Sequence, residues 1–145
     1  MSARRIKFIS EDCIECHGCE VACQSWRNRE HNVKWRRIES IWQGNYPEIK
    51  SISVSVACRH CDDPACIRDC PTEAIYKEAT TGVVLVDWEK CSGCRVCLDA
   101  CPYSVPQFGS DGRMQKCDLC FSEADHGLQL PPCVATCPTK ALRLE

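Results

Sequence analysis

The sequence predicts an α+β fold with little regular secondary structure, built from two nested modules that are related by a pseudo-twofold axis. Three observations lead to this prediction. The 145 residues include 16 cysteines, and these fall into four groups of four. A short apolar segment precedes the first and third groups, and the phrase Cys-Pro-Thr ends the second and fourth groups. Such internal repeats indicate duplicated structural units.

The four cysteine quartets have two related spacings. Quartets one and three both read C-x2-C-x2-C-x3-C, whereas one gap widens to x4 in quartet two and to x12 in quartet four. In order along the chain, the quartets are Cys13, Cys16, Cys19 and Cys23; Cys58, Cys61, Cys66 and Cys70; Cys91, Cys94, Cys97 and Cys101; and Cys117, Cys120, Cys133 and Cys137.

The flanking segments predict how the quartets combine. Residues 74–76, after quartet two, and residues 83–86, before quartet three, are strand-like and are separated by a polar turn, so we expect a hairpin. The two terminal strands are then left to pair with each other. This arrangement predicts an inner module of residues 58–102. The outer module comprises residues 1–57 and 103–145 and contains an inserted loop, residues 24–57.

The inserted loop has two features of its own. Residues 51–56 alternate serine with isoleucine or valine, as in a half-buried strand, and residues 35–42 are expected to pair with them through a turn at 44–47. Basic side chains are concentrated in residues 27–37, which form either a solvated face or a docking face for an acidic partner. These basic residues are Arg27, Arg29, Lys34, Arg36 and Arg37.

The cysteine content allows three interpretations: disulfides, zinc or iron–sulfur clusters. The sequence shows no secretory signal and no apolar stretch of about 18 residues, so we expect a cytoplasmic protein without a membrane span. Three cysteines separated by two residues each, with a fourth further on, suit a 4Fe–4S cluster better than the separated pairs of a zinc site. For quartet four alone, zinc is an equal alternative.

In two-cluster ferredoxins the fourth cysteine of a quartet ligates the neighbouring cluster. Proline follows that cysteine in three of the quartets, but Gln24 follows Cys23, which departs from the pattern. Applying the exchange predicts four clusters, each with four iron-binding cysteines. The predicted sets are Cys13, Cys16, Cys19 and Cys137 (cluster 1); Cys58, Cys61, Cys66 and Cys101 (cluster 2); Cys91, Cys94, Cys97 and Cys70 (cluster 3); and Cys117, Cys120, Cys133 and Cys23 (cluster 4).

These ligand sets predict an electron carrier without catalytic residues, because no iron is left open for a substrate. His17 and His60 lie between ligand cysteines, where a hydrogen bond or surface exposure is expected. The formal net charge of −2, to which the thiolate-ligated clusters add, argues against nucleic acid as a partner. Folding is expected to depend on the clusters, because only about a third of the chain is ordinary apolar residues.

The cysteine motifs resemble those of the four-cluster ferredoxin-like subunits of molybdenum- and tungsten-pterin oxidoreductases. The resemblance rests on residues 58–66, 101–103, 116–120 and 132–139. It implies two nested ferredoxin-like modules, a linear relay of four 4Fe–4S clusters and a large catalytic partner that holds the metal-pterin.

Two branches of that resemblance are open. Only eight residues follow Cys137, and this compactness is similar to the small subunit of tungsten-dependent aldehyde oxidoreductases, which passes electrons to a flavin (FAD) subunit. We favour that branch here. The alternatives are an iron–sulfur subunit of a dimethyl sulfoxide reductase or formate dehydrogenase complex, a free-standing polyferredoxin and a zinc-bound scaffold. Head-to-tail self-association of the protein is a further, weaker expectation.

Overall fold

A computed structural model describes residues 4–121 and 127–145, and its helices and strands are short. The longest helix has ten residues, and no helix in the described ranges has the length and apolarity needed to cross a bilayer. The elements are β1 (Ile6–Phe8), a 3-10 turn (Ser10–Asp12), α1 (Gly18–Arg27), β2 (Arg36–Asn45), β3 (Glu48–Ala57), α2 (Ala65–Arg68), β4 (Ile75–Lys77), β5 (Val84–Val86), α3 (Val96–Ala100), β6 (Gln107–Phe108), β7 (Met114–Gln115), α4 (Pro132–Thr136) and β8 (Leu142–Leu144).

The strands form four separate two-stranded antiparallel sheets: β1 with β8, β2 with β3, β4 with β5, and β6 with β7. The sequence predicted the β4–β5 hairpin and the pairing of the terminal strands, and both are confirmed. The two pairings have equivalent registers. Phe8 lies opposite Leu142, and Val86 lies opposite Ile75. Phe8 and Val86 each precede the first cysteine of a quartet by five residues, and Leu142 and Ile75 each follow the last cysteine of a quartet by five.

Equivalent residues of the repeated quartets also share an unusual backbone conformation. Side chains other than glycine rarely adopt positive φ, yet these residues do so at matching positions, which indicates that the cysteine loops of each pair have the same shape. The matched residues and their φ angles are Glu15 and Gly93 (55° and 73°), His17 and Arg95 (57° and 65°), His60 and Leu119 (47° and 56°), and Glu73 and Lys140 (52° and 55°).

The longest sheet is the β2–β3 hairpin, whose pairing and turn position are confirmed. Its burial differs from the expected alternation, since Ser53 is buried whereas Ile52 is 38% exposed. The reason is local hydrogen bonding: the Ser53 hydroxyl donates to Glu15 at 2.8 Å, and its carbonyl accepts from Ser10 at 2.7 Å. Beyond Ser53, residues 39–52 of the hairpin are exposed, so the hairpin projects from the protein into solvent.

Cysteines make up much of the apolar interior. Within residues 4–121 and 127–145, the buried residues form three small clusters, and each cluster contains cysteines packed against a few aliphatic side chains. The first contains Cys19, Cys133, Ile38, Val134 and Leu142; the second contains Cys117, Ala57, Val83 and Leu119; and the third contains Cys97, Ile75, Val84 and Met114.

Arg27 and Arg36, two of the five basic residues within 27–37, point inward, which contradicts both the solvated-face and the docking interpretations for these two. Arg36 is 4% exposed. Arg27 pairs with Asp118 at 2.5 Å, and Lys34 pairs with Glu20 at 2.9 Å. Charge runs are usually read as solvated surface, but here the buried thiols and carboxylates attract the cations inward.

Glu20 is a buried carboxylate that joins α1 to β2. It is 6% exposed, and it accepts hydrogen bonds from the Ile38 amide, from Lys34 at 2.9 Å and from His17 at 3.1 Å. Burial opposes its charge, but the hydrogen bonds from Ile38, Lys34 and His17 outweigh it and hold the pKa of Glu20 below its ordinary value. The carboxylate is therefore fully charged at neutral pH.

We expect Glu20→Ala to lower the free energy of unfolding by about 2–3 kcal/mol, because it leaves the buried Ile38 amide and the Lys34 ammonium without their acceptor. The measurement is the urea midpoint of the cluster-loaded protein under anaerobic conditions. Glu89→Ala, at an exposed position, is the control and should change the free energy of unfolding by a few tenths of a kcal/mol at most. Equal shifts in the two variants would contradict a structural role for Glu20.

Candidate iron–sulfur sites

The first cysteine site lies between the N-terminal loop and the C-terminal strand. Cys13, Cys16, Cys19 and Cys137 line one cavity, whose other walls are mainly apolar and include Leu142. The first three cysteines come from the loop before α1 and from its first turn, and the fourth follows α4. Pairing of β1 with β8 brings these two distant parts of the chain together.

The second and third sites are arranged in the same way inside residues 58–101. Each contains three cysteines of one quartet and the last cysteine of the other. The second cavity is lined by Cys58, Cys61, Cys66 and Cys101, and the third by Cys70, Cys91, Cys94 and Cys97. Met114 contributes to the walls of both cavities.

The fourth site is recognised from the surroundings of Cys23. Burial raises the pKa of the Cys23 thiol, and the neighbouring thiols of Cys117, Cys133 and Cys120 raise it further, which places the four sulfurs together. Because Gln24 rather than proline follows Cys23, α1 continues to Arg27 instead of ending at the cysteine as α3 does. The departure from the repeat thus lengthens a helix and leaves Cys23 beside quartet four.

The four thiol groups coincide with the four sets named from the sequence. Every set takes three cysteines from one quartet and one from another. Their role as cluster ligands stays a prediction, because the grouping concerns sulfur positions and not bound iron. Within residues 4–121 and 127–145, no three His, Cys, Asp or Glu side chains are arranged to hold a single metal ion.

The electrostatics of these sites suit a cationic metal core. Burial raises the pKa of Cys19, Cys66 and Cys97 to about 11 each. Converting such thiols to thiolates in an apolar cavity is costly unless positive charge is supplied there. Sets of four soft thiolate donors within apolar walls match the ligand demand of a 4Fe–4S cluster. The residues present therefore fit the cofactor.

Backbone amides already point at several sulfurs. The distances from nitrogen to Sγ are 3.4 Å for Glu15 to Cys13, Met114 to Cys91 and Leu119 to Cys117, and 3.2 Å for Ala141 to Cys137. Hydrogen bonds to the sulfurs are one of the means by which a protein sets the potential of such a centre.

Two cysteines, each the first residue of a Cys-Pro-Thr phrase, have surroundings that favour the thiolate. Burial alone would raise the pKa values of Cys70 and Cys137, but hydrogen bonds from backbone amides and from a threonine hydroxyl lower both. The hydroxyls are those of Thr72, 3.6 Å from Cys70, and Thr139, 3.8 Å from Cys137. The repeated Cys-Pro-Thr phrase thus supplies the same thiolate-stabilising contact twice.

Three basic side chains are buried among the sites, and sequence reasoning missed the burial of two of them, Arg36 and Lys116. For His60 it expected a hydrogen bond or surface exposure, and a hydrogen bond is found. Arg36 hydrogen-bonds Cys133 and lies near Cys117 and Cys19. Lys116, 4% exposed, donates to the carbonyls of Val84 and Cys117. The third group is His60. The only signal in the sequence was adjacency, since Lys116 precedes a ligand cysteine and His60 lies between two.

His60 is buried and neutral. Its Nδ1 accepts a hydrogen bond from the Val84 amide at 3.0 Å, so the neutral ring carries its proton on Nε2. Burial lowers the pKa of His60 to about 3, and the positive charges of Lys116 and Arg36 contribute. Within the described residues Nε2 has no hydrogen-bond partner. The other histidine between cysteines, His17, is half-exposed and bonded to Glu20, as expected from the sequence.

Four four-cysteine sites on a framework of short paired strands define a carrier of 4Fe–4S clusters. Comparison with known families agrees: residues 49–145 match the 4Fe-4S dicluster domain, and residues 10–26 match a 4Fe-4S binding domain. This protein belongs to the 4Fe-4S dicluster family, and it is an electron-transfer subunit of an oxidoreductase complex rather than a catalytic one.

The curated relatives specify the class further. The sequence is 41% identical to the B component of the anaerobic dimethyl sulfoxide reductase of Haemophilus influenzae, over 93% of this chain and 70% of that protein. It is 39% identical to the formate dehydrogenase iron-sulfur subunit of Wolinella succinogenes, over 97% of this chain and 81% of that protein. It is 33% identical to the B component of the sulfite dehydrogenase of Allochromatium vinosum, over 89% of this chain and 62% of that protein.

These relatives do not support the preference for tungsten-dependent aldehyde oxidoreductases, and the dimethyl sulfoxide reductase or formate dehydrogenase alternative fits better. The preference rested on the short segment after Cys137. Chain length is a poor guide to the branch, because the match spans 93% and 97% of this chain but only 70% and 81% of the two relatives.

Proposed function

We propose that this chain relays electrons between the catalytic subunit of a dimethyl sulfoxide reductase- or formate dehydrogenase-type complex and a second redox partner. One observation carries the proposal: all sixteen cysteines fall into four complete sets, so each of four clusters has one thiolate per iron. The proposed ligand sets are those given above, with Cys137, Cys101, Cys70 and Cys23 as the exchanged members of clusters 1 to 4.

The sites follow one another in a line, which supports a relay. Thiols of different sites are near enough to raise one another's pKa values: Cys66 raises the pKa of Cys97, Cys117 that of Cys58, and Cys133 that of Cys19. These pairs connect the third site to the second, the second to the fourth, and the fourth to the first. Electrons would therefore travel from the Cys91 end of the molecule to the Cys13 end, or in the reverse direction.

The chain's own residues hold and shield this path. When bound, a 4Fe–4S cluster accepts and releases one electron. The thiolates fix each cluster with no iron left for a substrate, aliphatic side chains such as Ile38 and Met114 exclude water, and amide donors stabilise the sulfurs. Both end sites contain an exposed cysteine, Cys16 at one end and Cys94 at the other. A partner protein therefore has access to each end of the line.

We propose the nested modules as the origin of this line. Residues 58–102 form an inner ferredoxin-like module, and residues 1–57 with 103–145 form an outer one, related to it by a pseudo-twofold axis. The equivalent strand registers and matching positive-φ residues support this division. Duplication of a two-cluster unit, followed by insertion of one copy into the other, would join two pairs of clusters into one relay of four.

The ligand exchange is tested by replacing Cys23. We expect Cys23→Ser to perturb the cluster of quartet four, although Cys23 belongs to quartet one. The measurement is the EPR spectrum of the dithionite-reduced protein, compared with the spectra of Cys120→Ser and Cys16→Ser. The spectral change should match that of Cys120→Ser, since both residues serve the same site. A match to Cys16→Ser instead would reject the exchanged ligand map.

The relay itself is tested with the partner subunit. We expect the chain to purify with a large pterin-containing subunit and its clusters to bleach when that subunit's substrate is added anaerobically. Purification of the chain alone, with clusters that no such subunit reduces, would favour a free-standing polyferredoxin. Iron and acid-labile sulfide, at about four each per quartet, distinguish clusters from zinc.

We further propose a cytoplasmic location, because free thiols in this number need a reducing compartment during assembly.

A further inference from the structure

A cleft between β1 and β3 is much larger than the three cavities lined by cysteine sets. Its volume is about 580 Å³, and its walls include Ile6 and Phe8 of β1 and Ser55 of β3. A contact from Ser10 to the Ser53 carbonyl at 2.7 Å closes one end. None of the four thiol groups described above occupies it, although Cys58 reaches its wall. Fifteen of the sixteen proposed ligand cysteines are thus not among the residues that line the cleft.

Both long walls of the cleft are unpaired strand edges. β1 pairs only with β8, and β3 pairs only with β2, in the described part of the chain. Arg5 and Ile9 bond to β8, so the alternating backbone groups of Ile6 and Phe8 face the other way. On β3 the Ser53 carbonyl points away from β2 toward Ser10, and Ser55 has the same orientation by alternation.

The volume of the space between these edges is comparable with that of a few residues of extended chain. One strand residue takes up about 4.8 Å across a sheet, about 3.3 Å along it and about 10 Å through it, or about 160 Å³. The cleft volume thus corresponds to about three to four residues, which equals the length of β1. An inserted strand would join the two separate sheets and satisfy edges that otherwise remain open.

The charge of the cleft selects the occupant. Arg5, Lys7, Arg36 and Arg59 line it, against Glu145 as the single acidic side chain among the lining residues. Lys7 contacts Glu145 at 3.4 Å, and Arg5 pairs with Asp62, which does not line the cleft. Even with Asp62 counted, four basic side chains stand against two acidic ones, and this excess of positive charge favours an acidic segment.

We propose that the cleft binds an extended, acidic segment of the catalytic partner subunit as an added β-strand. The naming of that partner rests on the proposed function, whereas the preference for an extended acidic chain rests on the cleft alone. Backbone pairing with β1 and β3 supplies affinity, and carboxylates facing Lys7 and Arg59 supply specificity. Of residues 27–37, which the sequence suggested for docking, Arg36 alone is among the residues that line the cleft.

The first test uses the cluster-loaded protein and a fluorescently labelled peptide of three Glu-Val repeats, followed by anisotropy at low salt. We expect binding that weakens at least about tenfold in the Lys7→Glu, Arg59→Glu double variant and on adding salt. Lys90→Glu, an exposed reversal outside the cleft, is the matched control and should leave binding unchanged. Failure of this peptide to bind, or equal binding of a Lys-Val peptide, would overturn the proposal.

The second test locates the occupant by hydrogen–deuterium exchange and mass spectrometry. Saturating peptide, and equally the catalytic subunit in the isolated complex, should slow exchange in residues 4–9 and 53–58 but not in residues 75–86, which serve as the internal control. An electron-transferring complex in which residues 4–9 and 53–58 exchange at the rate of the free protein would overturn the cleft proposal. The proposed function would stand in that case, so the two failures are distinguishable.

Discussion

Removing the iron–sulfur clusters is expected to unfold this protein completely. The apolar interior consists of three small clusters that depend on cysteine for much of their contact. Metal binding contributes about 10–16 kcal/mol in small zinc domains, whereas a typical domain is stable by only about 5–15 kcal/mol. Loss of four clusters therefore exceeds any stability that the remaining packing provides.

The measurement is differential scanning calorimetry and near-ultraviolet circular dichroism of protein treated anaerobically with an oxidant and a chelator. We expect the cooperative transition and the near-ultraviolet signal to disappear and to return after reconstitution with iron and sulfide. The control is the same protein carried through the treatment without chelator. A cooperative melt of the iron-free protein would show that side-chain packing alone specifies the fold.

Replacing Arg36 is expected to lower the reduction potential of the cluster held by Cys117, Cys120, Cys133 and Cys23. Arg36 is buried, hydrogen-bonds Cys133 and has a permanent positive charge. A unit charge about 8 Å from the cluster centre contributes about 2 kcal/mol at an effective dielectric constant of about 20. Arg36→Met should thus lower the ratio of reduced to oxidised cluster about thirtyfold at a fixed ambient potential.

EPR-monitored redox titration checks this expectation. A cation stabilises the more negative, reduced cluster, so its removal must shift the potential downward and not upward. Arg36→Lys keeps the charge and should have a much smaller effect, although it loses the hydrogen bond to Ser55. The cluster assigned to Cys91, Cys94, Cys97 and Cys70 lies at the far end of the line and is the internal control. An unchanged reduction potential of the fourth cluster in Arg36→Met would show that Arg36 does not influence that potential.

The behaviour of the inserted loop shows where sequence patterns misled. The pairing of residues 36–57 followed from alternation and a turn signal, and the structure has that hairpin. Which face is buried did not follow, because Ser53 is held inward by Ser10 and Glu15 from a different part of the chain. Likewise, the arginines looked like surface charge until the tertiary structure supplied buried thiols beside Arg36. Contacts between distant parts of the chain form only on folding, so the local sequence contains no pattern that predicts them.

Sequence alone determined the cofactor class and the pairing of the terminal strands. Cysteine spacing is a local requirement of the cluster, and the two duplicated phrases could be matched without knowing any distance. Tertiary structure decided the order of the four sites, the buried position of Arg36, Lys116 and His60 between them, and the open cleft beside β1. These depend on how the modules pack against each other. Residues far apart in the chain meet there, and their meeting is set by the shape of the packed surfaces rather than by spacing.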